Sequence, residues 1–167
     1  GQIVPADDVA PFGALDVTAN AQPLWACLDD QMLDLTLPFL GDLAQRQQYV
    51  FRSLVDTGAP LVFGSDWPVS SADPLDGIHV AVTRRAPGSD LAPLLADQSL
   101  SLERAIDAYT RGSAWINRLE GSSGAIEVGL AADLAVLDRD LLALPSDEIA
   151  SARVQQTFVD GRRVFEA

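Results

Sequence analysis

The sequence predicts a mixed α/β fold, namely part of an α/β barrel followed by a small unit built from strands. Two observations support this prediction. Residues 17–63 show a strand, helix, strand order, which is the repeating unit of such a barrel. From residue 124 onward the pattern is that of strands alone. We therefore expect a barrel portion over residues 1–123 and a strand unit over residues 124–167.

The first strand-helix-strand unit can be followed in order. Residues 17–22 alternate between small or apolar and polar side chains, which predicts a short strand. Apolar residues at three- and four-residue spacing predict one helix over 42–56, which Gly58 and Pro60 end. Residues 61–63 are apolar and too few for a helix, so they predict a buried strand of the parallel type.

Further helices and strands follow this unit. A short helix is expected over 78–85, then an exposed linker through Pro93. Ser101 fits the N-cap of a helix whose apolar face extends to Tyr109. Asp160-Gly161 is a strong signal for a type I′ hairpin. Strand-like runs occupy residues 125–126, 133–138, 154–159 and 162–165.

The length limits how much of a barrel the chain can hold. A complete barrel needs about 250 residues, whereas this chain has 167 and shows two recognisable strand-helix units. The chain begins Gly1-Gln2-Ile3, without an initiator Met or the pattern of a signal peptide. We interpret this first residue as a cut within a longer polypeptide.

Composition argues against several classes of protein. With 11 Lys plus Arg against 24 Asp plus Glu, the formal net charge is −13, and no basic stripe could follow a nucleic acid. No run reaches the roughly 18 apolar residues of a membrane-spanning helix, so no membrane partner is expected. The single cysteine, Cys27, cannot form an internal disulfide. We interpret it as a buried small side chain and expect a cytoplasmic protein.

Asp66 is the strongest candidate for a functional residue. It follows the predicted strand 61–63 and Gly64-Ser65, which places it at the carboxyl end of that strand. Barrel enzymes carry their catalytic groups at this end. An aspartate here can instead bond the backbone of the next turn, at Ser70 or Ser71. Position alone leaves both interpretations open.

The other candidate residues give weaker indications. His79 is the only histidine, so a histidine-pair metal motif cannot form within this chain. We expect His79 to be solvated or locally hydrogen-bonded. Trp25 and Trp67 could both face a pocket and bind substrate, although tryptophan more often serves packing. Residues 121–124 lack the Lys and helix of a phosphate loop, which favours a flexible linker.

Five segments together resemble the amidohydrolase superfamily. Their combination is similar to the carboxyl-terminal third of amidohydrolase family 3, which includes the YtcJ-like proteins and the N-substituted formamide deformylases. The resemblance covers essentially the whole chain. The segments are QPLWA at 22–26, GSDWPVS at 64–70, LSLERAIDAYTRGSA at 100–114, GAIEVGLAADLAVLD at 124–138 and TFVDGRRVF at 157–165.

The resemblance implies the carboxyl-terminal portion of a distorted TIM-type (β/α)₈ barrel, followed by strands of a composite β-sandwich. Asp66 matches the aspartate on the last barrel strand, which in the family contacts the metal and exchanges protons with the attacking water. The resemblance therefore assigns Asp66 both the catalytic and the metal-binding role. The family's histidine ligands would precede Gly1. A divalent metal, with zinc expected, would thus belong to the parent protein, while the chain alone would bind none and be inactive.

Two functions are compatible with these observations. The first is a fragment of a metal-dependent hydrolase of non-peptide carbon-nitrogen bonds. It would act on a small amide-type molecule, and its missing amino-terminal part or a companion chain would supply the histidines. The second is a non-catalytic domain that retains the fold and binds a small molecule or a partner subunit. Unpaired strands in the isolated tail predict self-association, so a homo-oligomer is expected.

Overall fold

The computed structural model describes residues 2–167 and has a mixed α/β fold with two sheets. Strands β1 (Ala19–Ala21) and β2 (Leu61–Phe63) are parallel and in register. An antiparallel sheet of order β3-β4-β5 is built from Leu134–Leu137, Val154–Val159 and Arg162–Glu166. The predicted strands 61–63, 133–138, 154–159 and 162–165 are thereby confirmed, and the strand predicted over 17–22 is present in a shorter form.

Within residues 2–167, six α-helices precede, connect and follow the strands of the parallel sheet. The N-caps of the fourth and fifth helices are side-chain caps: the Asp73 carboxylate accepts a hydrogen bond from Leu75 N at 2.9 Å, and the Ser101 hydroxyl accepts one from Arg104 N at 3.3 Å. The helices are α1 (Ala6–Ala14), α2 (Asp42–Gln45), α3 (Phe51–Asp56), α4 (Pro74–Thr83), α5 (Leu102–Tyr109) and α6 (Arg111–Ile116). A π-helical segment spans Gln31–Thr36, and 3₁₀ segments span Pro23–Trp25, Leu37–Phe39, Ala96–Gln98 and Ser146–Ser151.

The main hydrophobic core lies between β2 and helices α3, α4 and α5. Phe63 on β2 contacts Phe51 and Tyr109 edge to face, with ring centroids 5.6 and 5.3 Å apart. Such pairs contribute beyond the area that they bury. Ile149, from the Ser146–Ser151 segment, is 1% exposed and packs into the same core. Part of the carboxyl-terminal region is therefore docked onto the helices, and the division at residue 123 stays a prediction.

The single helix predicted over 42–56 is wrong. Helices α2 and α3 are separated by residues 46–50, where Tyr49 has a left-handed backbone with φ 48°. Tyr49 N donates to Gln2 O at 2.8 Å, and Val4 N donates to Gln47 O at 3.0 Å. The amino-terminal segment thus takes backbone groups that a continuous helix would use. A periodicity confined to residues 42–56 contains no information about this distant partner.

Two other predicted elements need correction, and one is confirmed. No strand forms over 125–126, where Ile126 is 88% exposed and has no strand partner among the described residues. The helix predicted over 78–85 begins earlier, at Pro74, because Asp73 caps it there. The hairpin is confirmed, since Asp160 and Gly161 have φ values of 50° and 73°, as a type I′ turn requires.

We expect the 167-residue chain to self-associate. Strand β5 lies at a sheet edge with all five residues exposed, and Val164 and Phe165 add apolar surface. Open edges and apolar surface favour association. Sedimentation velocity should give a mean mass that rises above 17.8 kDa with concentration, and Phe165→Lys should weaken that rise. A monomer at every concentration would contradict the expectation.

Candidate functional site

The parallel strands bring two loops together at one end of the sheet, where both strands have their carboxyl ends. Ala21 and Phe63, the last residues of β1 and β2, lie side by side. Gly64 N donates to Ala21 O at 3.0 Å, which extends this pairing by one bond. Residues 22–25 leave β1 here and residues 64–66 leave β2. Because α/β barrels carry catalytic groups at the carboxyl ends of their strands, this end of the sheet is the candidate site.

Asp66 lies just beyond the end of β2 with an exposed side chain. Its backbone is left-handed with φ 60°, a conformation that Asp tolerates better than most residues. Its carbonyl accepts a hydrogen bond from Val69 N at 2.9 Å and closes a turn. Within residues 2–167 its carboxylate accepts no hydrogen bond and forms no ion pair. The side chain is therefore free to accept a proton or to contact a ligand.

The turn after β2 is stabilised by serine side chains instead. The Ser65 hydroxyl accepts from Trp67 N at 3.2 Å, and the Ser70 hydroxyl donates to Ser65 O. The Ser71 hydroxyl accepts from Asp73 N at 3.1 Å. The bonds from Asp66 to Ser70 or Ser71 that a turn-capping role requires are not formed in this part of the chain. The catalytic role of Asp66 stays a prediction.

Helix α6 fixes the end of the strand that carries Asp66. The Ser113 hydroxyl donates to Phe63 O at 3.0 Å. Gly112 lies so close to β2 that a Cβ atom would be 2.8 Å from Leu61 O. Glycine permits this approach because it has no side chain. The carboxyl end of β2 is thus fixed by the hydrogen bond from Ser113 and by close backbone packing against Gly112.

Trp25 and Trp67 have different surroundings. Trp67 is 70% exposed, in the loop after Asp66. Trp25 is half-buried and lines a cavity of about 180 Å³, which we call the Trp25 pocket. Their predicted roles in substrate binding remain predictions. The Trp25 pocket is lined by Gln2, Trp25, Asp29, Gln31, Met32, Thr36 and Tyr49.

Two groups close to the Trp25 pocket remain protonated at neutral pH. Burial raises the pKa of Tyr49 to about 12, with smaller contributions from Cys27 and Asp29. Burial, and then Asp29, raises the pKa of the Cys27 thiol to about 11. Cys27 is 3% exposed and its Sγ donates to Leu24 O at 3.4 Å, which confirms the predicted buried small side chain. A thiol with this pKa is a poor nucleophile.

His79 is expected to be solvated or locally hydrogen-bonded; it is not solvated, and its hydrogen bond is with the backbone of the distant Ser146. His79 is 3% exposed because the Ser146–Ser151 segment covers helix α4. Its Nδ1 has no hydrogen-bond partner among residues 2–167. Burial lowers its pKa, although Asp147 and Asp76 act in the opposite direction. The imidazole is thus neutral at pH 7 and lies within packed structure.

The residues described do not by themselves fit a zinc centre. Among residues 2–167 there is no cluster of three or more His, Cys, Asp or Glu side chains that could hold a metal ion. A zinc site takes about four ligands. Asp66 can contribute one carboxylate at the candidate site, and the other ligands would have to come from elsewhere.

No helix in the described part of the chain is long and apolar enough to cross a membrane.

Comparison with solved structures shows that the chain is similar to part of proteins described as metal-dependent hydrolases. An uncharacterized metal-dependent hydrolase of Pyrococcus horikoshii superposes with a TM-score of 0.73 at 29% identity, over 87% of this chain and 29% of that one. The zinc complex of atrazine chlorohydrolase TrzN of Arthrobacter aurescens superposes with a TM-score of 0.64 over 99% of this chain and 35% of that one. Its 22% identity supports the fold alone.

Sequence comparison then gives the family. The Amidohydrolase family profile, that of family 3, matches residues 1–165, and the chain belongs to this family. Protein LONG AFTER FAR-RED 3 of Arabidopsis thaliana is 34% identical over 92% of this chain and 26% of its own length. The putative amidohydrolase YtcJ of Bacillus subtilis is 32% identical over 76% of this chain and 24% of its own length. The N-substituted formamide deformylase of Arthrobacter pascens is 33% identical over 69% and 21%, respectively.

These values confirm the family that the sequence motifs predict. They also show that the chain spans about a quarter of the length of these curated relatives.

Proposed function

We propose that the chain is the carboxyl-terminal part of a metal-dependent hydrolase that cleaves carbon-nitrogen bonds other than peptide bonds. One observation carries this proposal: the Asp66 carboxylate, which has no hydrogen-bond or ion-pair partner within residues 2–167, lies just beyond a buried parallel strand in a chain of the amidohydrolase family. The name of the formamide deformylase relative supports an amide-type substrate.

Asp66 is the proton-transferring residue of this proposal. Its carboxylate can accept a proton from the water that attacks the substrate carbonyl, and can return that proton to the leaving nitrogen. A divalent metal bound in the assembled protein, with zinc expected, would lower the pKa of such a water toward neutrality. Because no donor within residues 2–167 bonds the carboxylate, both of its oxygens remain available.

We propose that the remaining metal ligands come from polypeptide outside the described residues, either the amino-terminal part of the same protein or a companion chain. Strands β1 and β2 form a two-stranded sheet, so within residues 2–167 each has one edge without a partner strand. Further parallel strands can pair at these two edges. Such pairing would place their carboxyl ends beside Asp66, where barrel enzymes build their sites.

A second candidate is a non-catalytic domain that retains the fold and binds a small molecule or a partner subunit. The lack of a metal-binding cluster within the described residues is compatible with this candidate as well as with ligands supplied from elsewhere. Fold alone does not decide between the two, since one fold carries catalytic and non-catalytic members. Metal binding and turnover in the reconstituted protein separate them.

We expect the purified 167-residue chain to hold no stoichiometric zinc and to show no amidase activity, because one carboxylate cannot complete a tetrahedral site. Elemental analysis after dialysis against metal-free buffer measures the zinc content. About one tightly held zinc per chain would contradict this expectation.

The proposed hydrolase is tested by co-expressing the chain with a polypeptide that carries the amino-terminal part of a family member. The complex should bind metal and hydrolyse at least one of a panel of formamides, cyclic amides, ureas and simple amides, and a chelator should abolish the activity. A stable, metal-loaded complex without turnover on the whole panel would overturn the hydrolase proposal in favour of the non-catalytic domain.

A further inference from the structure

The Trp25 pocket lies at the same end of β1 as the candidate site. Trp25 belongs to the 3₁₀ segment that follows the carboxyl end of β1, and Gln2 and Tyr49 join it through their own backbone hydrogen bond. The pocket therefore has walls from three separate segments of the chain. Its volume of about 180 Å³ suits one small substituent of a larger molecule.

Asp29 gives the Trp25 pocket its charge. It is the one charged residue among the lining residues, and its side chain is exposed. Its Oδ1 accepts a hydrogen bond from Met32 N at 2.7 Å. Within residues 2–167 it forms no ion pair, and its other oxygen accepts no hydrogen bond. A carboxylate at the pocket therefore has accepting capacity that the protein itself does not use.

The other lining residues, like Asp29, favour a cationic ligand. Trp25 and Tyr49 are the aromatic residues of the lining, and an aromatic ring that turns its face to a cation attracts it. The Tyr49 hydroxyl remains protonated, since burial raises its pKa to about 12, so Asp29 supplies the negative charge among the lining residues. Arg84 contacts the Tyr49 carbonyl from within the core, is 0% exposed, and is not a lining residue. The net charge of −13 adds long-range attraction for cations.

We propose that the Trp25 pocket binds the ammonium or other cationic nitrogen group of the substrate, with Asp29 as its counter-ion and Trp25 and Tyr49 as its aromatic walls. This rests on the proposed function in that it assigns the substrate a cationic substituent. The proposed hydrolase thus selects amides that carry a positively charged amine, and neutral or anionic analogues are bound less well.

The test is a binding measurement on the 167-residue chain with n-butylammonium as the probe. The indole N–H resonances of its three tryptophans are assigned by single Trp→Phe variants. The Trp25 resonance should shift saturably with the probe while that of Trp115 stays in place. The neutral isostere 1-butanol, at matched ionic strength, should give a much weaker shift.

Asp29→Asn is the decisive variant, because its side-chain oxygen can still accept the hydrogen bond from Met32 N while the charge is lost. We expect it to weaken n-butylammonium binding about tenfold or more, as the loss of a charged hydrogen-bond partner does. Asp30→Asn removes an exposed neighbouring carboxylate that does not line the pocket, and should bind like the parent chain.

Equal shifts with 1-butanol and n-butylammonium would overturn the proposal, and so would unchanged binding by Asp29→Asn. Equal losses in Asp29→Asn and Asp30→Asn would also overturn it, because they would indicate attraction by overall charge alone. None of these measurements needs turnover. A failure of the hydrolase proposal in the reconstituted complex is therefore distinguishable from a failure of the pocket proposal.

Discussion

Asp66→Asn in the assembled enzyme is expected to lower kcat by about 10² to 10⁴, the range attributed to general acid-base assistance. The substitution keeps the size of the side chain and one oxygen that can contact a metal, but the amide nitrogen cannot accept a proton. Since the Asp66 side chain forms no hydrogen bond within residues 2–167, the fold should not depend on its charge. Metal content and thermal unfolding are therefore expected to change little.

The matched control is Asp90→Asn, an exposed aspartate in the linker between α4 and α5. It removes the same charge at a position distant in sequence from Asp66 and should leave kcat unchanged. Steady-state kinetics and metal analysis on both variants decide the matter. Near-normal turnover by Asp66→Asn would show that the carboxylate carries no proton in the reaction, and the catalytic assignment would be wrong.

Local sequence signals predicted those parts of the fold that short-range chemistry determines. The strand at 61–63 is apolar and bounded by Pro60 and Gly64, and it forms as predicted. The hairpin at Asp160-Gly161 forms because these residues adopt positive φ at low cost. Ser101 caps α5 with its own hydroxyl. In each case the decisive contact lies within a few residues.

Long-range contacts determined the parts that the sequence did not predict. The helix expected over 42–56 is interrupted because Gln2 and Val4 bond residues 47–49, a pairing that no local periodicity records. His79 is buried because a segment near residue 149 packs against α4. A lone histidine in a short helical pattern gives no sign of such a cover.

The candidate site was predictable in part for the same reason. The position of Asp66 follows from the strand before it, so the sequence locates it. The Trp25 pocket unites Gln2, Asp29 and Tyr49, which lie far apart in the chain. Trp25 was a candidate by residue type alone, whereas Asp29 and Tyr49 had no signal that marked them. Only the folded chain brings their side chains to one cavity.

Arg84 shows how a buried cation holds several of these segments together. It follows the last residue of α4 with φ 59° and is 0% exposed. Its Nε donates to Leu94 O at 2.7 Å, and Nη1 donates to Tyr49 O at 3.1 Å. The guanidinium lies over the Phe51 ring, 5.2 Å from its centroid. Burial lowers its pKa to about 10, so it remains a cation at neutral pH.

Arg84→Ala is expected to lower the free energy of unfolding by about 2–5 kcal/mol, because it leaves a cavity in the core. Arg84→Met retains much of the volume, so it should cost less, about 1–3 kcal/mol, for leaving buried acceptors without their donor. The Leu94 carbonyl is the more affected acceptor, since Tyr49 O also accepts from Phe51 N. Both variants keep a Cβ atom at the left-handed position, so backbone cost is constant across the series.

Urea denaturation of the 167-residue chain measures this order of stability, with Arg52→Ala as the control. Arg52 forms an exposed ion pair with Asp56 at 2.8 Å, and its loss should cost at most about 1 kcal/mol. If Arg84→Met were as stable as the parent chain, the hydrogen bonds to Leu94 and Tyr49 would contribute nothing net, and the cost of burying the charge would cancel them. If Arg84→Ala also unfolded like the parent chain, the side chain would not be part of the packed core.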